Sequence, residues 1–248
     1  MSLEQRIDAL LDRPKLNDSM QLPIHRDIYF RLNSVNLVIG KRGSGKTYTT
    51  LREIAKLPMV LGDANPYTQI HYITDKYHDD TVQMFERLFK QMGMFFNWCP
   101  TANAEKLINS VAKLKADMPT ATDDIDLYKQ VFNYHGDALP HSIVIFDDCM
   151  GLFKKDTALS KKLFENRQSR ITYFLLLQDT IGISPSMKAN VDTLTLFGGF
   201  SRQRWSTLFY LMPDLGLRYE NYQQLTQHDA IRFDFQGNFY LFVKRCPN

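Results

Sequence analysis

Eight consecutive residues, Gly40-Lys41-Arg42-Gly43-Ser44-Gly45-Lys46-Thr47, satisfy every fixed position of G-x-x-x-x-G-K-[ST], the spacing of a phosphate-binding loop. The chemistry depends on those residue types. Glycines let backbone N–H groups turn inward around a phosphate, and the N-terminus of a following helix adds positive potential. Lys46 reaches the β- and γ-phosphates, and the Thr47 hydroxyl ligates Mg²⁺. The cradle predicted to hold the nucleotide is Gly40, Lys41, Arg42, Gly43, Ser44, Gly45, Lys46, Thr47 and Tyr48. A loop of this kind needs a carboxylate at the end of a neighbouring strand. Ile143-Val144-Ile145-Phe146-Asp147-Asp148 supplies two. Asp147 is expected on the metal side, and Asp148 as the base that orients and deprotonates water. Gln178 closes the apolar run ITYFLLLQ and is the expected γ-phosphate sensor. Arg167 and Arg170, just before that run, are candidate arginine fingers acting on a neighbouring subunit, and Arg170 is taken as the catalytic one.

These groups need strands that end together. Val35 to Ile39 reads as a buried strand running into the glycine-rich turn. A helix starts from Lys46 and is expected to stop before Pro58, because the residue before proline disfavours the α region. Gln69 to Thr74, Ser142 to Phe146, Ile171 to Leu177, Thr193 to Phe197 and Thr207 to Leu211 read as strands. Helical spacing covers Asp79–Gln91, Ala102–Ala116 and Asp124–Asn133. Ile231–Phe235 and Asn238–Val243 flank Gln236-Gly237 as a hairpin. Buried strands alternating with helices indicate an α/β fold with a mainly parallel sheet flanked by helices, ending in a C-terminal β-hairpin. One domain is expected over 1–248, with an extension over 1–30, a nucleotide-binding core over 31–200 and a β-rich appendage over 201–248.

Composition narrows the class. With 248 residues, 44% hydrophobic and 23% charged, the chain matches a soluble globular protein. No apolar run approaches the ~20 residues of a bilayer span, and the charged N-terminus lacks a secretion signal's apolar core. No membrane association is therefore expected. Cys99, Cys149 and Cys246 show no zinc or disulfide spacing, which fits reduced thiols and an intracellular location. The six histidines share no metal spacing either. The net charge is only +3, but the chain from Gly151 onward holds 13 basic against 8 acidic residues. Lys154, Lys155, Lys161, Lys162, Arg167 and Arg170 form one basic cluster, and Arg202 and Arg204 bracket an aromatic stretch. Either can grip DNA phosphates, or simply be solvated surface.

Strand–GKRGSGKT–helix, then IVIFDDCM, then a strand ending in LLLQ, resembles the FtsK–HerA superfamily of pumping ATPases. The short length and the DDCM ending look like the poxvirus-type genome-packaging ATPases of large DNA viruses and their virophage satellites. The motifs span about two thirds of the chain. Pro185 and the segment NVDTLTLF are more loosely similar to the stretch after the family's sensor glutamine. The resemblance implies a RecA-like core, a homo-oligomeric ring, ATP and Mg²⁺ as cofactors, and translocation of double-stranded DNA into a capsid, with a capsid or portal protein as partner. It implies work in the host cytoplasm or viral factory, or with the virion. It gives Lys46 and Thr47 to phosphate and metal, Asp147 to metal, Asp148 to the base and Gln178 to the sensor. Two departures stand out. Cellular members often carry glutamate where this chain has Asp148, and an Arg-His pair where it has Asn166-Arg167-Gln168-Ser169-Arg170.

Two other classes remain at this level. A phosphate-loop kinase acting on a nucleoside or small metabolite would use Arg202, Arg204 and Arg218 in a lid, yet has no need of paired aspartates with a strand-end glutamine. A nucleotide-gated assembly scaffold would bind ATP tightly and hydrolyse it slowly. A small GTPase and a transporter-type ATPase are disfavoured, since neither Asn-Lys-x-Asp nor Leu-Ser-Gly-Gly occurs.

Overall fold

The computed structural model describes residues 23–25, 28–31, 33–62, 65, 67–76, 79–116, 141–153, 157–166, 169–179, 184–211, 219–235 and 239–243. Among them, strands β1 (Pro23–His25) and β2 (Ile28–Arg31) pair antiparallel in a small separate sheet. The main sheet holds β3 (Val35–Ile39), β4 (Tyr67–Ile73), β5 (Phe95–Cys99), β6 (His141–Asp147), β7 (Ile171–Leu177), β8 (Thr193–Phe197), β9 (Ala230–Asp234) and β10 (Phe239–Val243). Its eight strands run in the order β10-β9-β8-β3-β7-β6-β4-β5. From β8 to β5 every pairing is parallel; β9 and β10 are added antiparallel at one edge.

Parallel strands covered on both faces must be apolar at nearly every position, and β3, β7 and β8 are buried throughout. Successive side chains point to opposite faces. Ile143 and Ile145 of β6 therefore pack with Leu51 and Ile54 of helix Lys46–Leu61 and Phe85 and Phe89 of helix Asp80–Gln91. Val144 and Phe146 pack on the other face with Ile108, Leu163 and Leu208 of helices Ala104–Ala116, Ala158–Phe164 and Arg202–Leu211. The result is a helix–sheet–helix sandwich. Asp79 starts helix Asp80–Gln91 by accepting from the N–H groups of Thr81 and Val82 at 2.9 and 3.3 Å.

Two expectations are corrected, and one strand is added. The helix from Lys46 continues through Pro58 to Leu61. Proline in a helix loses its own bond to the preceding turn and crowds the carbonyl four residues back; here Leu57 is wholly buried and Pro58 O accepts the closing bond from Gly62 N. Thr207–Leu211 lies in a helix rather than a strand. Among the described side chains of that helix, Trp205 and Leu208 are buried, three apart, which is a helical contact face. The edge strand β5, Phe95–Cys99, had no sequence assignment; it alternates exposed Phe95 with buried Phe96 and is too short to declare itself. The expected helix over Asp124–Asn133 lies outside the described residues, as do Gln236 and Gly237 between the antiparallel neighbours β9 and β10.

Candidate active site

β3, β7 and β6 end at one level, because Ile39 pairs with Leu177 and Asp147 with Leu176. Gly40, Gln178 and Asp148 therefore leave the sheet side by side. β3 lies between β7 and β8, so connections depart to both sides of it. That is the switch point where open α/β sheets form their ligand crevice. A cavity of about 190 Å³ opens there, lined by Arg42, Gly43, Lys46, Thr47, Tyr72, Thr74, Lys76, Asp79, Asp147, Asp148 and Gln178.

The loop owes its shape to glycine. Gly43 and Gly45 have φ of 74° and 95°, a region that side chains avoid. A Cβ on Gly40 would sit 2.4 Å from Ser44 Oγ and 2.9 Å from Phe197 Cβ. The turn closes with Ser44 N–H donating to Lys41 O at 3.2 Å, and Thr49 N–H begins the helix by donating to Gly45 O. Lys46 is buried, and its ammonium donates to Gly40 O at 2.7 Å and Lys41 O at 3.0 Å. Burial lowers its pKa, against the opposing pull of Asp147 and Asp148. Lys41 and Arg42 are exposed, and Arg42 borders the cavity. The Tyr48 ring turns away to meet Phe85 edge-on at 5.7 Å, leaving its backbone N–H as the group at the helix start.

Thr47 Oγ1 donates to Asp147 Oδ2 at 2.7 Å, across 100 residues of chain. The hydroxyl of Tyr72 donates to the same carboxylate oxygen. Burial raises the Asp147 carboxyl above its usual range, while Tyr72, Thr47 and Lys46 stabilise its anion. The donors here are hard oxygens, and no cluster of three or more His, Cys, Asp or Glu occurs among the described residues. Two protein oxygens completed by phosphate and water is how Mg²⁺ is held at nucleotide sites, so the residues fit that ion. Asp148 sits at φ 59°, a strained left-handed conformation that aims its carboxylate over the cavity. Gln178 Nε2 donates to its Oδ1 at 2.9 Å, and the Lys76 ammonium binds its Oδ2. Burial pushes the Asp148 carboxyl up, but Lys76, Gln178 and Lys46 outweigh it, so its pKa falls below the usual carboxylate value.

The structure thus gathers Lys46, Thr47, Asp147, Asp148 and Gln178 around one cavity. It does not bring Arg170 there. Arg170 precedes β7 at the opposite end, and the seven-residue strand between it and Gln178 spans roughly 23 Å. Arg167, Lys154, Lys155 and Arg218 lie outside the described residues. Of the basic groups expected near DNA, Lys162 pairs with Glu165 at 2.7 Å. Arg204 reaches Asp179, beside Gln178, at 3.7 Å, and Arg202 reaches Glu220 at 3.7 Å. Tyr72 and Lys76 were missed from sequence. Each meets its partner across more than 70 residues of chain, and no contiguous motif records such a pairing.

Phosphate loop, strand-end aspartates and a mainly parallel sheet flanked by helices define a P-loop NTPase fold. No protein-family model matches the chain, and no curated protein matches it in sequence. Solved structures do match in fold. The DNA-packaging ATPase B204 of Sulfolobus turreted icosahedral virus is 16% identical, with a TM-score of 0.59 over 87% of this chain and 99% of its own. The genome-packaging NTPase B204 of Sulfolobus turreted icosahedral virus 2, in complex with AMPPCP, is 12% identical with a TM-score of 0.59 over the same shares. EssC ATPases 2 and 3 from Geobacillus thermodenitrificans are 15% identical, with a TM-score of 0.55 over 85% of this chain and 39% of theirs.

Proposed function

We propose that the protein is a Mg²⁺-dependent ATPase that works as a homo-oligomeric ring and drives viral double-stranded DNA into a capsid. It works in the host cell, in partnership with a capsid or portal protein and without a membrane. The observation that carries the ATPase reading is the meeting of the phosphate loop, the Thr47–Asp147 bond and the Asp148–Gln178 bond in one cavity. Support for the DNA step is the likeness in fold, over most of the chain, to two packaging NTPases. The poxvirus-type assignment within that superfamily rests on the DDCM ending.

Each residue takes one part of the work. Lys46 exchanges its two loop carbonyls for the β- and γ-phosphates. Thr47 and Asp147 hold the cation, and Tyr72 keeps the Asp147 carboxylate turned toward it. The cation, when bound, neutralises charge on the β- and γ-oxygens. Asp148 takes a proton from the attacking water, and Gln178 holds that water or the γ-phosphate in line. Arg170, far from its own chain's cavity, serves only in trans.

The test is phosphate release from ATP with and without long double-stranded DNA at low salt. Several-fold stimulation that fades as salt rises is expected, since phosphate contacts release counterions. Phosphate appearing instead on an added nucleoside would replace this reading with a kinase. Slow turnover indifferent to DNA would replace it with a scaffold.

A further inference from the structure

The segment after β4 is pinned on one side and open to the cavity on the other. Trp98 Nε1–H donates to Thr74 O at 2.9 Å, and Thr74 N–H donates to Cys99 O at 3.1 Å. The Asp75 carboxylate accepts from Thr101 twice, from the backbone N–H at 2.9 Å and from Oγ1 at 2.6 Å. Lys76 N–H donates to Thr74 Oγ1 at 3.2 Å, closing a short turn. The backbone of 74–76 is therefore held to edge strand β5 and the turn beyond it. The Lys76 side chain is 69% exposed and reaches into the cavity, where its ammonium meets Asp148. Asp79, the other acid on that wall, spends Oδ1 capping its helix. Lys46 and Lys76 are near enough to feel each other's charge. Two lysines thus line one cavity, one from the phosphate-loop side and one from the β4 side.

The geometry points to Lys76 as a second phosphate-binding cation, which leaves Asp148 for the γ-phosphate when a triphosphate enters and so frees the carboxylate to meet water. This rests on the nucleotide reading above. The exchange has a physical basis. The Lys76–Asp148 pair is largely solvated, so it is worth little by itself. A γ-phosphate brings more negative charge and several strong acceptors to the same ammonium. A diphosphate ends short of Asp148 and leaves the pair closed. Lys76 therefore reports whether the third phosphate is present, and Asp148 is released only then. A lysine suits this task better than arginine, because a compact charge on a flexible stem moves between two acceptors without a fixed fork geometry.

Affinity separates this role from a purely structural one. Calorimetry with Mg²⁺ would compare ATPγS and ADP on wild type, Lys76→Ala and Lys76→Arg. The expected result for Lys76→Ala is ATPγS bound roughly tenfold more weakly, with ADP affinity unchanged and hydrolysis slowed. Lys76→Arg should recover much of the ATPγS affinity, because the charge is kept. Equal weakening of both nucleotides, or an unchanged ratio between them, would overturn the role whatever happens to turnover. The side chain is exposed, so both variants should fold, and an unchanged thermal unfolding midpoint verifies that they do. Wild type that binds neither nucleotide would instead sink the nucleotide reading itself, leaving the two failures distinct.

Discussion

Asp147 shows how much of this site depends on one carboxylate oxygen. Thr47 and Tyr72 both donate to Oδ2, so the acid is turned toward the phosphate loop from two directions. In the proposed function Thr47 also ligates the metal, which leaves Tyr72 as the group whose hydroxyl serves only to position that carboxylate. Tyr72→Phe keeps a ring that stacks on Phe96 at 6.0 Å while removing the hydroxyl. Groups that orient metal ligands are worth about 10- to 100-fold in metal affinity. The Mg²⁺ concentration giving half-maximal hydrolysis should rise by about tenfold, with nucleotide affinity in the absence of metal unchanged. An unaltered Mg²⁺ requirement would show that Thr47 alone suffices to place Asp147. Asp148 differs in kind. Its neighbours Lys76, Gln178 and Lys46 hold its pKa below the usual carboxylate value, so at neutral pH it is an anion.

At the scale of elements, two turns fix the loop's outer side. Gly198 N–H donates to Asp229 O at 2.9 Å, and Gln227 Nε2 donates to Arg42 O at 3.2 Å. The turn after β8 and the turn before β9 thus lean on each other and on the phosphate loop. Tyr222 braces them, with its hydroxyl donating to Phe197 O at 2.7 Å and accepting from Phe200 N–H at 3.1 Å. A Cβ on Gly198 would lie 2.1 Å from Thr226 O and 2.6 Å from Leu225 O, backbone atoms that cannot swing aside. Gly198→Ala should cost about 1–3 kcal/mol of stability, read as a lower thermal unfolding midpoint; an unchanged midpoint would mean the two turns are not held together. Sequence made the buried strands legible because parallel packing demands apolar residues at nearly every position, and Ile171–Leu177 and Thr193–Phe197 match residue for residue. The phosphate loop was legible because its chemistry is contiguous. Helix Arg202–Leu211 was not, since the run TLFYL has strand-like composition and only packing against Tyr222 shows its period. Tyr72 and Lys76 were hidden for a different reason: their roles exist only after β4 and β6 pair, Tyr72 beside Ile145.

The whole molecule places its cavity at the one edge where β3, β6 and β7 end together, with Gln178 adjoining Asp179 and, through it, the exposed side chain of Arg204. Among the described residues no helix is long and apolar enough to cross a membrane. The most direct test of the central claim is displacement of a third strand from a DNA triplex by the protein, ATP and Mg²⁺, beside an Asp148→Asn control. Wild type with ATP should displace the strand, and the control should not, even though it still binds ATP. Wild type that hydrolyses ATP yet leaves the triplex intact, or displacement undiminished in Asp148→Asn, would contradict that claim.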